Sequence, residues 1–375
     1  MIYISSIEDL QKIGKVTGYP LNGEYELTQD IDASATINWN SGAGFAPIGS
    51  VYPPFTGKFD GKGYKITGLY INRTGTNYIG LFSFIGSGSE VKNIGIENCW
   101  ISGNNVLGGL IAWNYGTVSN SYITGTVSGS GNHIGGLVGW NEGTVLNSYN
   151  TSTVEGVDLV GGLIGNNYSG TVSNCYSKCT VSGNLSVGGL VGHIYSGTIL
   201  NSCSTGTFRG SYDIGGLVGQ NSGGTVSNSY SMGTVLGTND IAGLIGNNYS
   251  GTVSNCYSIG FVNGSYIVGG LIGYNGGVVS GSYWNIETSG RSSSAAGTGK
   301  TTAQMKQQAT FVGWDFTTIW NINEGSSYPY LLWQGSPLPE VSALLIPYLV
   351  GMAVSYTHLR AHETPEHLVC RLLLE

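Results

Sequence analysis

The sequence predicts an all-β protein that folds as a right-handed parallel β-helix, a solenoid of about 27-residue, three-strand coils. Three features carry this prediction: a leucine that recurs at a fixed interval, an arc of constant length, and β-rich runs within every repeat. Glycine supplies 63 of the 375 residues, 40 % of residues are apolar and 9 % are charged. The apolar fraction argues against disorder, and glycine does not occupy every third position as it does in collagen.

The first feature is the leucine of a recurring Gly-Leu pair. Consecutive leucines lie 27, 26, 27, 27, 27 and 27 residues apart. They are Leu110, Leu137, Leu163, Leu190, Leu217, Leu244 and Leu271. Self-similarity at such a period is typical of a solenoid in which each repeat forms one coil.

The second feature is an arc that keeps its length. Six threonines, from Thr117 to Thr252, each stand ten residues before a Val or Phe, whereas the other two arcs vary by one residue. Corners are therefore expected within these variable arcs. The third feature is a set of three runs per coil, such as "IGGLVG", "TVSNSY" and "GTVSG", which have the composition of strands separated by turn residues. The paired glycines are expected to give tight corners with positive φ.

Two further columns predict what the coils bury and display. An apolar column is expected to form an interior stack, and its members are Val118, Val145, Val172, Ile199, Val226 and Val253. An asparagine column predicts a ladder of stacked amides along the axis. Its members are Asn120, Asn147, Asn174, Asn201, Asn228 and Asn255.

Capping segments are expected at both ends, because an open coil would expose strand edges and core. The stretch "SSIEDLQKIG" predicts a short helix with Ser6 as its N-cap, placed to plug the first coil. The stretch "TTAQMKQQATF" predicts a second helix. An aromatic cluster after it is expected to seal the last coil, and it comprises Trp314, Phe316, Trp320, Tyr328, Tyr330 and Trp333.

Composition divides the chain into five segments. Residues 1–105 are interpreted as an N-terminal cap with irregular first coils, 106–283 as the regular repeats, and 284–335 as a C-terminal capping segment. Residues 336–353 are expected to be a linker or the start of a truncated next module. Residues 354–375 resemble translated sequencing-adapter sequence and are interpreted as an artefactual tail.

The repeat core also carries a family resemblance. It reads "GLVG" or "GLIG" in six of seven coils and "GLIA" in the first. These motifs resemble the GLUG-motif family, named for its Gly-Leu-any-Gly core and found in bacterial surface proteins. The resemblance extends over residues 3–333, and it implies an extracellular β-helix joined to adhesive or wall-associated modules, without catalytic residues.

A variable column just after each "GLxG" is the candidate binding site. Its members are Trp113, Trp140, Asn166, His193, Gln220, Asn247 and Tyr274. They are planar, uncharged side chains that change from coil to coil. Aromatic and amide surfaces of this kind suit sugar rings or another protein, although outward stacking that shields the ladder would select the same residues.

An acidic pair is the alternative site. Asp213 and Asp240 share one column and are expected to lie about 5 Å apart, near the separation of the carboxylates in a retaining glycosidase. This pair supports an alternative function, a carbohydrate-active β-helix enzyme of the polysaccharide lyase or glycosidase type. The other members of the column favour a solvated corner, and they are His133, Leu159, Ser186 and Ile267.

No metal or cofactor is predicted. Zinc needs four ligands, and Cys99, Cys175 and Cys256 alternate with serines in a column that indicates a small slot. Asp30 and Asp32 lie on one strand face, where an ion site stays open as an alternative. The stretch "FDGKGYKI" is interpreted as a hairpin turn.

These observations favour a function without catalysis. A net charge of −7 argues against binding to nucleic acid, and the apolar run "IPYLVGMA" is too short to span a membrane. We expect an extracellular or cell-surface module that acts as a rigid spacer or adhesin segment of a larger bacterial surface protein. Its expected partner is a cell-surface glycan or protein. The opening "MIYISSIEDL" shows no signal peptide, so either the protein is cytosolic or its true N-terminus lies outside this sequence, and the second alternative agrees with a surface module.

Overall fold

The computed structural model describes residues 1–338, which form one compact unit. They build an all-β, right-handed parallel β-helix of about ten turns, which confirms the predicted fold class. The predictions for residues 339–353 and for the tail at 354–375 lie outside the described residues.

Four parallel sheets run along the solenoid. Sheet I contains Ile2–Ile4, Glu24–Leu27, Lys58–Asp60, Glu90–Lys92, Thr117–Ser119, Thr144–Leu146, Thr171–Ser173, Thr198–Leu200, Thr225–Ser227, Thr252–Ser254 and Val278–Ser280. Sheet II contains Leu107–Gly108, Ile134–Gly135, Asp158–Gly161, Leu185–Gly188, Tyr212–Gly215, Asn239–Ala242 and Tyr266–Gly269.

The remaining strands form the other two sheets and one small hairpin-like pair. Sheet III contains Phe82–Ile85, Ile111–Asn114, Val138–Asn141, Ile164–Asn167, Val191–Ile194, Val218–Asn221, Ile245–Asn248 and Ile272–Asn275. Sheet IV contains Ile31–Asp32, Lys65–Thr67, Tyr70–Asn72, Gly95–Gly103, Tyr122–Gly129, Tyr149–Asn150, Thr153–Glu155, Tyr176–Ser182, Cys203–Arg209, Tyr230–Ser231, Thr234–Leu236, Tyr257–Ser258, Val262–Asn263, Tyr283–Asn285 and Thr298–Lys300. Trp320–Asn321 and Tyr330–Leu331 pair antiparallel.

Each regular coil contributes strands to four sheets, whereas the sequence predicted three strands per coil. The run "IGGLVG" is divided, because Ile134–Gly135 lies in sheet II and Val138–Asn141 lies in sheet III. Gly136 and Leu137 make the corner between the two sheets, and Leu137 is fully buried. The period and the register are as predicted, since Thr117, Thr144 and their successors pair in one column.

The helices are short and lie towards the two ends. The α-helices are Ile7–Lys12, Ile286–Ser289 and Thr302–Met305, and the 3-10 segments are Ser34–Gly42, Gln308–Thr310 and Leu332–Gln334. The first helix begins as predicted, because the Ser6 side chain accepts a hydrogen bond from the Asp9 amide at 3.2 Å. Its Ile7 and Leu10 are buried in the main core.

The paired glycines stand at a corner as predicted, but the positive φ predicted for them is wrong. Gly135 and Gly136 do not have positive φ; positive φ falls instead on the asparagine column, at 47–52°, and on the column of His133 and Asp213, at 47–64°. A Cβ on Gly136 would lie 2.3 Å from the carbonyl oxygen of Gly162 in the next coil. Glycine is therefore required because the backbones of neighbouring coils approach too closely for a side chain.

The predicted asparagine ladder is confirmed in part. The Nδ2 of Asn147 donates to Oδ1 of Asn120 at 3.2 Å, and the Nδ2 of Asn174 donates to Asn147 at the same distance. Asn255 and Asn228 form a later rung. At Asn201 the side-chain oxygen has no partner. Asparagine also suits this corner because it tolerates the left-handed conformation better than most residues.

A second, inner ladder was not predicted from the sequence. Asn114 donates to Asn141 at 2.7 Å, and Asn141 donates to Asn167 at 2.8 Å. Asn221, Asn248 and Asn275 continue in the same manner after an interruption at Ile194. Except for Asn275, these amides are fully buried, so their mutual hydrogen bonds satisfy groups that water cannot reach.

The C-terminal segment covers the side of the solenoid, which differs from the expected end seal. Trp320 and Leu331 pack with Tyr230 and Tyr257 of sheet IV in a separate buried cluster. Tyr230 and Tyr257 belong to different coils and stack at 4.8 Å. The segment thus follows the side of several coils. Sequence periodicity does not reveal this long-range packing.

The stretch "FDGKGYKI" is a coil corner, so the hairpin interpretation is wrong. Lys58–Asp60 joins sheet I and Lys65–Thr67 joins sheet IV, and the two strands do not pair with each other. Asp60 accepts hydrogen bonds from the Lys62 amide at 2.8 Å and from Asn93 Nδ2 at 2.9 Å. A short acidic side chain stabilises the turn in this way.

The cysteine slot matches its prediction for Cys175 and Cys256 but not for Cys99, which pairs in register with Gly125 rather than with Ser121. Cys175 and Cys256 are buried free thiols that bond the carbonyl oxygen two residues earlier, at 3.2 and 3.1 Å. Ser121 makes the same bond with its hydroxyl at 2.8 Å. Serine and cysteine alternate because both fill one small space and serve one acceptor.

Candidate functional site

Two columns of side chains flank the corner between sheets II and III, and together they form what we name the two-column face. The outward column is the predicted binding set, and its members pair in register from coil to coil. The left-handed column lies in sheet II, except for His133, which directly precedes its strand. The column contains His133, Leu159, Ser186, Asp213, Asp240 and Ile267, all with positive φ.

Contacts between the columns show that they line one surface. The rings of His133 and Trp140 have centroids 4.8 Å apart. Further along, Asn247 donates from Nδ2 to Oδ1 of Asp213 at 3.3 Å. The structure thus brings together the candidate binding column and the alternative acidic pair, which the sequence treated as separate sites.

The N-terminal half of this face is aromatic. Trp113 packs against Trp140 with centroids 5.3 Å apart, and both indoles donate from Nε1 to Oε1 of Glu142, at 3.2 and 2.9 Å. Neighbouring rings extend these contacts into a continuous row that we name the aromatic row. It comprises Tyr78, Phe84, Trp113, Tyr115, Trp140, Tyr168 and Tyr195.

Part of the aromatic row is exposed to solvent. Tyr168 and Tyr195 are exposed and stack with an interplanar angle of 2° and centroids 4.7 Å apart. Tyr249, two coils beyond Tyr195, is 63 % exposed. Burial and a hydrogen bond to Glu142 raise the pKa of Tyr115 to about 12, so its hydroxyl stays neutral and able to donate.

Most of the outward column is half-buried, with two departures. Asn166 is buried, whereas Tyr274 is exposed. His193 joins Asn166 to Ser222, with Nδ1 3.0 Å from Asn166 Oδ1 and Nε2 2.9 Å from Ser222 Oγ. Burial lowers the pKa of His193 to about 4, so the ring is neutral at pH 7 and donates from Nδ1 while accepting at Nε2.

The C-terminal half of the face is acidic. Asp213 is only 7 % exposed, and burial raises the pKa of its carboxyl to about 6. Asp240 is half-buried, its pKa is also raised by burial, and its Oδ2 accepts from Asn239 Nδ2 at 3.0 Å. Neither carboxylate has a salt-bridge partner among residues 1–338.

The structure also accounts for the other acidic candidates. Asp30 accepts from the Lys65 amide at 3.1 Å, and Asp32 accepts from the Ser34 amide at 2.9 Å. The bond from Ser34 lowers the pKa of Asp32 and closes a local turn, whereas the bond to Asp30 comes from a strand of sheet IV that is distant in sequence. Within the described part of the chain, no three His, Cys, Asp or Glu residues come together as a metal site.

Sequence reasoning missed the column of Tyr115, Tyr168 and Tyr195, which completes the aromatic row. Its signal was present, because a tyrosine follows the inner-ladder position in "WNY", "NNYSG" and "HIYSG". Phe84 was also missed, although it pairs in register with Trp113 and precedes it in the outward column.

A family comparison identifies the repeat. The model described as "The GLUG motif" matches residues 130–155 and 210–236. The chain carries GLUG motifs. Both matched segments contain a complete corner between sheets II and III, so the GLUG core is the sequence that builds the two-column face.

Relatives of these GLUG coils are larger proteins. The chain is 39 % identical over 132 residues to halomucin of Haloquadratum walsbyi, covering 34 % of the chain and 1 % of halomucin. It is 38 % identical over 118 residues to a protein provisionally named Gly-rich membrane protein in Evansella cellulosilytica, covering 30 % and 14 %. The chain therefore spans a small part of the length of the curated relatives it matches.

A solved structure shares the fold of the GLUG coils. It is a Bacteroides ovatus protein provisionally described as an immunoglobulin A1 protease, with a TM-score of 0.51 and 20 % identity, covering 88 % of this chain and 92 % of that one. Identity at this level supports the fold alone. No helix within residues 1–338 is long and apolar enough to cross a membrane.

Proposed function

We propose that the chain is a non-enzymatic, extracellular module that acts as a rigid spacer or adhesin segment of a larger bacterial surface protein. The aromatic row is the observation that carries this proposal. It places seven aromatic side chains along one side of a solenoid in which few residues are charged. An exposed apolar surface that is continuous over several coils is typical of a binding site.

Rigidity supports the spacer role. Parallel strands pair in register through every regular coil, and the buried inner ladder links neighbouring coils by side-chain hydrogen bonds. Each coil therefore holds its neighbours in a fixed orientation.

The aromatic row favours a glycan or a protein as partner. Tyr168, Tyr195 and Trp140 offer apolar contact, while Glu142 offers an acceptor beside them. This combination of ring and polar group matches pyranose rings, which have apolar faces and hydroxyl edges. Binding along a row also multiplies weak contacts.

Sedimentation with insoluble polysaccharides tests this proposal. Cellulose, chitin and peptidoglycan are each incubated with the full chain, and the bound fraction is measured. We expect at least one of them to retain the protein, and Trp140→Ala with Tyr195→Ala to reduce the retained fraction about tenfold. Tyr266→Ala, an exposed tyrosine of sheet II outside the row, serves as control. Equal retention of all variants would exclude the aromatic row.

A carbohydrate-active enzyme is the second candidate, because Asp213 has a raised pKa beside a second carboxyl, as a general acid requires. Its burial behind Asn247 disfavours contact with a polysaccharide. The same polysaccharides, assayed for released reducing sugar and unsaturated uronide, separate the two candidates. Turnover that Asp213→Asn abolishes would establish the enzyme and refute the non-enzymatic role.

A further inference from the structure

Three oxygen-bearing side chains come together where the left-handed column meets the outward column. Asp213 and Asp240 lie in adjacent coils, in register. Asn247 reaches from the coil of Asp240 to Asp213, with 3.3 Å between its Nδ2 and Asp213 Oδ1. We propose that these side chains bind a hard divalent cation, Ca²⁺, between the two coils, a site separate from the aromatic row.

Buried oxygens without a donor are the first support. Asp240 Oδ1 and Asn247 Oδ1 are inaccessible to solvent and have no hydrogen-bond partner. Both are acceptors, so only a donor or a cation can satisfy them. Carboxylate and amide oxygens are the ligands that Ca²⁺ prefers in proteins.

Ser186 provides an independent observation. It is fully buried, and its Oγ has no hydrogen-bond partner. Ser186 lies in register with Asp213, and the two residues share the same left-handed φ, 55° and 56°. Ser186 stands in the coil next to Asp213, on the side away from Asp240, so its hydroxyl is a third unsatisfied buried oxygen beside the acidic pair rather than a ligand of an ion between the two carboxylates.

The spacing of the coils suits calcium. Adjacent strands lie about 4.8 Å apart, which is about twice the Ca²⁺–oxygen distance of about 2.3–2.6 Å. A Ca²⁺ ion midway between the coils therefore reaches a carboxylate oxygen from each. Mg²⁺ binds oxygen at about 2.0–2.1 Å and demands a regular octahedron, so it fits this spacing less well.

The electrostatic environment favours a cation. Neither carboxylate has a salt-bridge partner among residues 1–338, so their negative charges lack compensation from the described protein. A bound cation would supply that compensation. Two carboxylates and one amide leave positions for water, a composition expected to give an affinity of about 10⁻⁴–10⁻³ M, as in extracellular calcium modules.

Thermal unfolding of the full chain with and without calcium tests the site. The protein is treated with EDTA, dialysed, and melted in 10 mM CaCl₂, 10 mM MgCl₂ or NaCl of equal ionic strength, with these concentrations about ten times the expected Kd. We expect CaCl₂ to raise the Tm by several degrees, with half of the effect near about 1 mM, and MgCl₂ to have less than half of that effect.

Isosteric variants make the test specific. Asp213→Asn and Asp240→Asn should each abolish the calcium effect while keeping the calcium-free Tm at or above that of the wild type, since asparagine tolerates positive φ and removes an uncompensated charge. Asp158→Asn, in the same sheet but outside the column, should keep the calcium effect. Absence of both a Tm shift and a binding heat in 10 mM CaCl₂, or a full shift in Asp213→Asn, would overturn the proposal.

Discussion

Individual residues in the left-handed column keep a conformation that their side chains disfavour. Ile267 has φ 47° and a β-branched side chain, although it is 52 % exposed. A residue with positive φ costs about 1–2 kcal/mol unless it is Gly, Asn or Asp. The stacked strands above and below impose this backbone, so the residue type is secondary. For this reason the column varies freely in sequence, and its conformation was not predicted.

Replacing Ile267 by asparagine should therefore stabilise the protein. We expect Ile267→Asn to raise the free energy of unfolding by about 0.5–1 kcal/mol, because asparagine tolerates the left-handed region and little apolar surface is lost. Chemical denaturation measures the change. Tyr266→Asn is the matched control, since Tyr266 is exposed and lacks positive φ; it should give no gain. Equal changes in the free energy of unfolding for the two variants would show that the left-handed backbone at Ile267 is not strained.

Asp213 and His193, two titratable groups of the two-column face, change the stability of the protein in opposite directions as the pH changes. Asp213, with a pKa of about 6 against an ordinary 3.8, holds its proton longer in the folded state, so stability falls as pH rises from 3.8 to 6. His193, with a pKa of about 4 against 6.5, gains its proton later in the folded state, so stability falls as pH falls from 6.5 to 4.

Single variants should separate the two contributions to the dependence of stability on pH between pH 4 and 6. In the presence of EDTA, Asp213→Asn should make stability rise more steeply with pH than in the wild type, and His193→Gln should make it rise less or fall. Each difference should amount to about 1–3 kcal/mol across the window, reduced by partial exposure of the ring. Unfolding free energies at half-unit pH steps provide the measurement. Parallel curves for all three proteins would refute the assignment.

At the scale of one element, the two asparagine ladders differ in burial. The inner ladder is fully buried at Asn141, whereas Asn147 in the outer ladder is exposed to water. Loss of Asn141 leaves the Asn167 oxygen without its donor and leaves the Asn114 amide with only a 3.5 Å bond to the Thr144 carbonyl, and water cannot reach either group to replace the lost bond. The inner ladder therefore contributes more stability per rung.

Paired substitutions test this difference. Asn141→Ala should lower the free energy of unfolding by about 2–4 kcal/mol, because two buried groups lose their partners. Asn147→Gly, which keeps the left-handed backbone accessible, should cost less than about 1 kcal/mol. Denaturant melts of both variants give the comparison. A smaller loss for Asn141→Ala than for Asn147→Gly would show that the buried amides do not stabilise the coil.

Elements that repeat were predictable, and elements that do not repeat were not. The Thr117 arc and the Leu137 column recur at a fixed interval, so the sequence alone gave the period, register and interior. The inner ladder was missed because Ile194 interrupts it and because it lies directly beside the variable column. The side packing of Trp320 depends on contacts far apart in sequence, which no local pattern records. Likewise, no local sequence pattern indicated that Asp213 would contact Asn247 of the adjacent coil.

For the whole molecule, nearest-neighbour stacking means that coils can be added without changing the rest. Leu107, Ile134, Val160 and Val187 occupy one column in register. A second copy of residues 107–186, inserted after Ser186, therefore places its first residue at the position of Val187 and restores Val187 after three further coils. The C-terminal segment keeps its contacts, because those with Asn201 and beyond lie after the insertion and the inserted copy of Tyr176 takes the place of Tyr176 beside Trp333.

The enlarged protein should be longer by about 14 Å, three times the strand spacing of about 4.8 Å, with a Tm at or above that of the wild type. Small-angle scattering measures the increase in maximum dimension, and circular dichroism follows unfolding. Insertion of residues 107–183 instead shifts every later column by three residues, more than the single residue by which the natural arcs vary. That variant should lose cooperative unfolding, because apolar columns meet polar ones. If both insertions fold equally well, the columns do not determine the register, and stacking in phase is not what stabilises the solenoid.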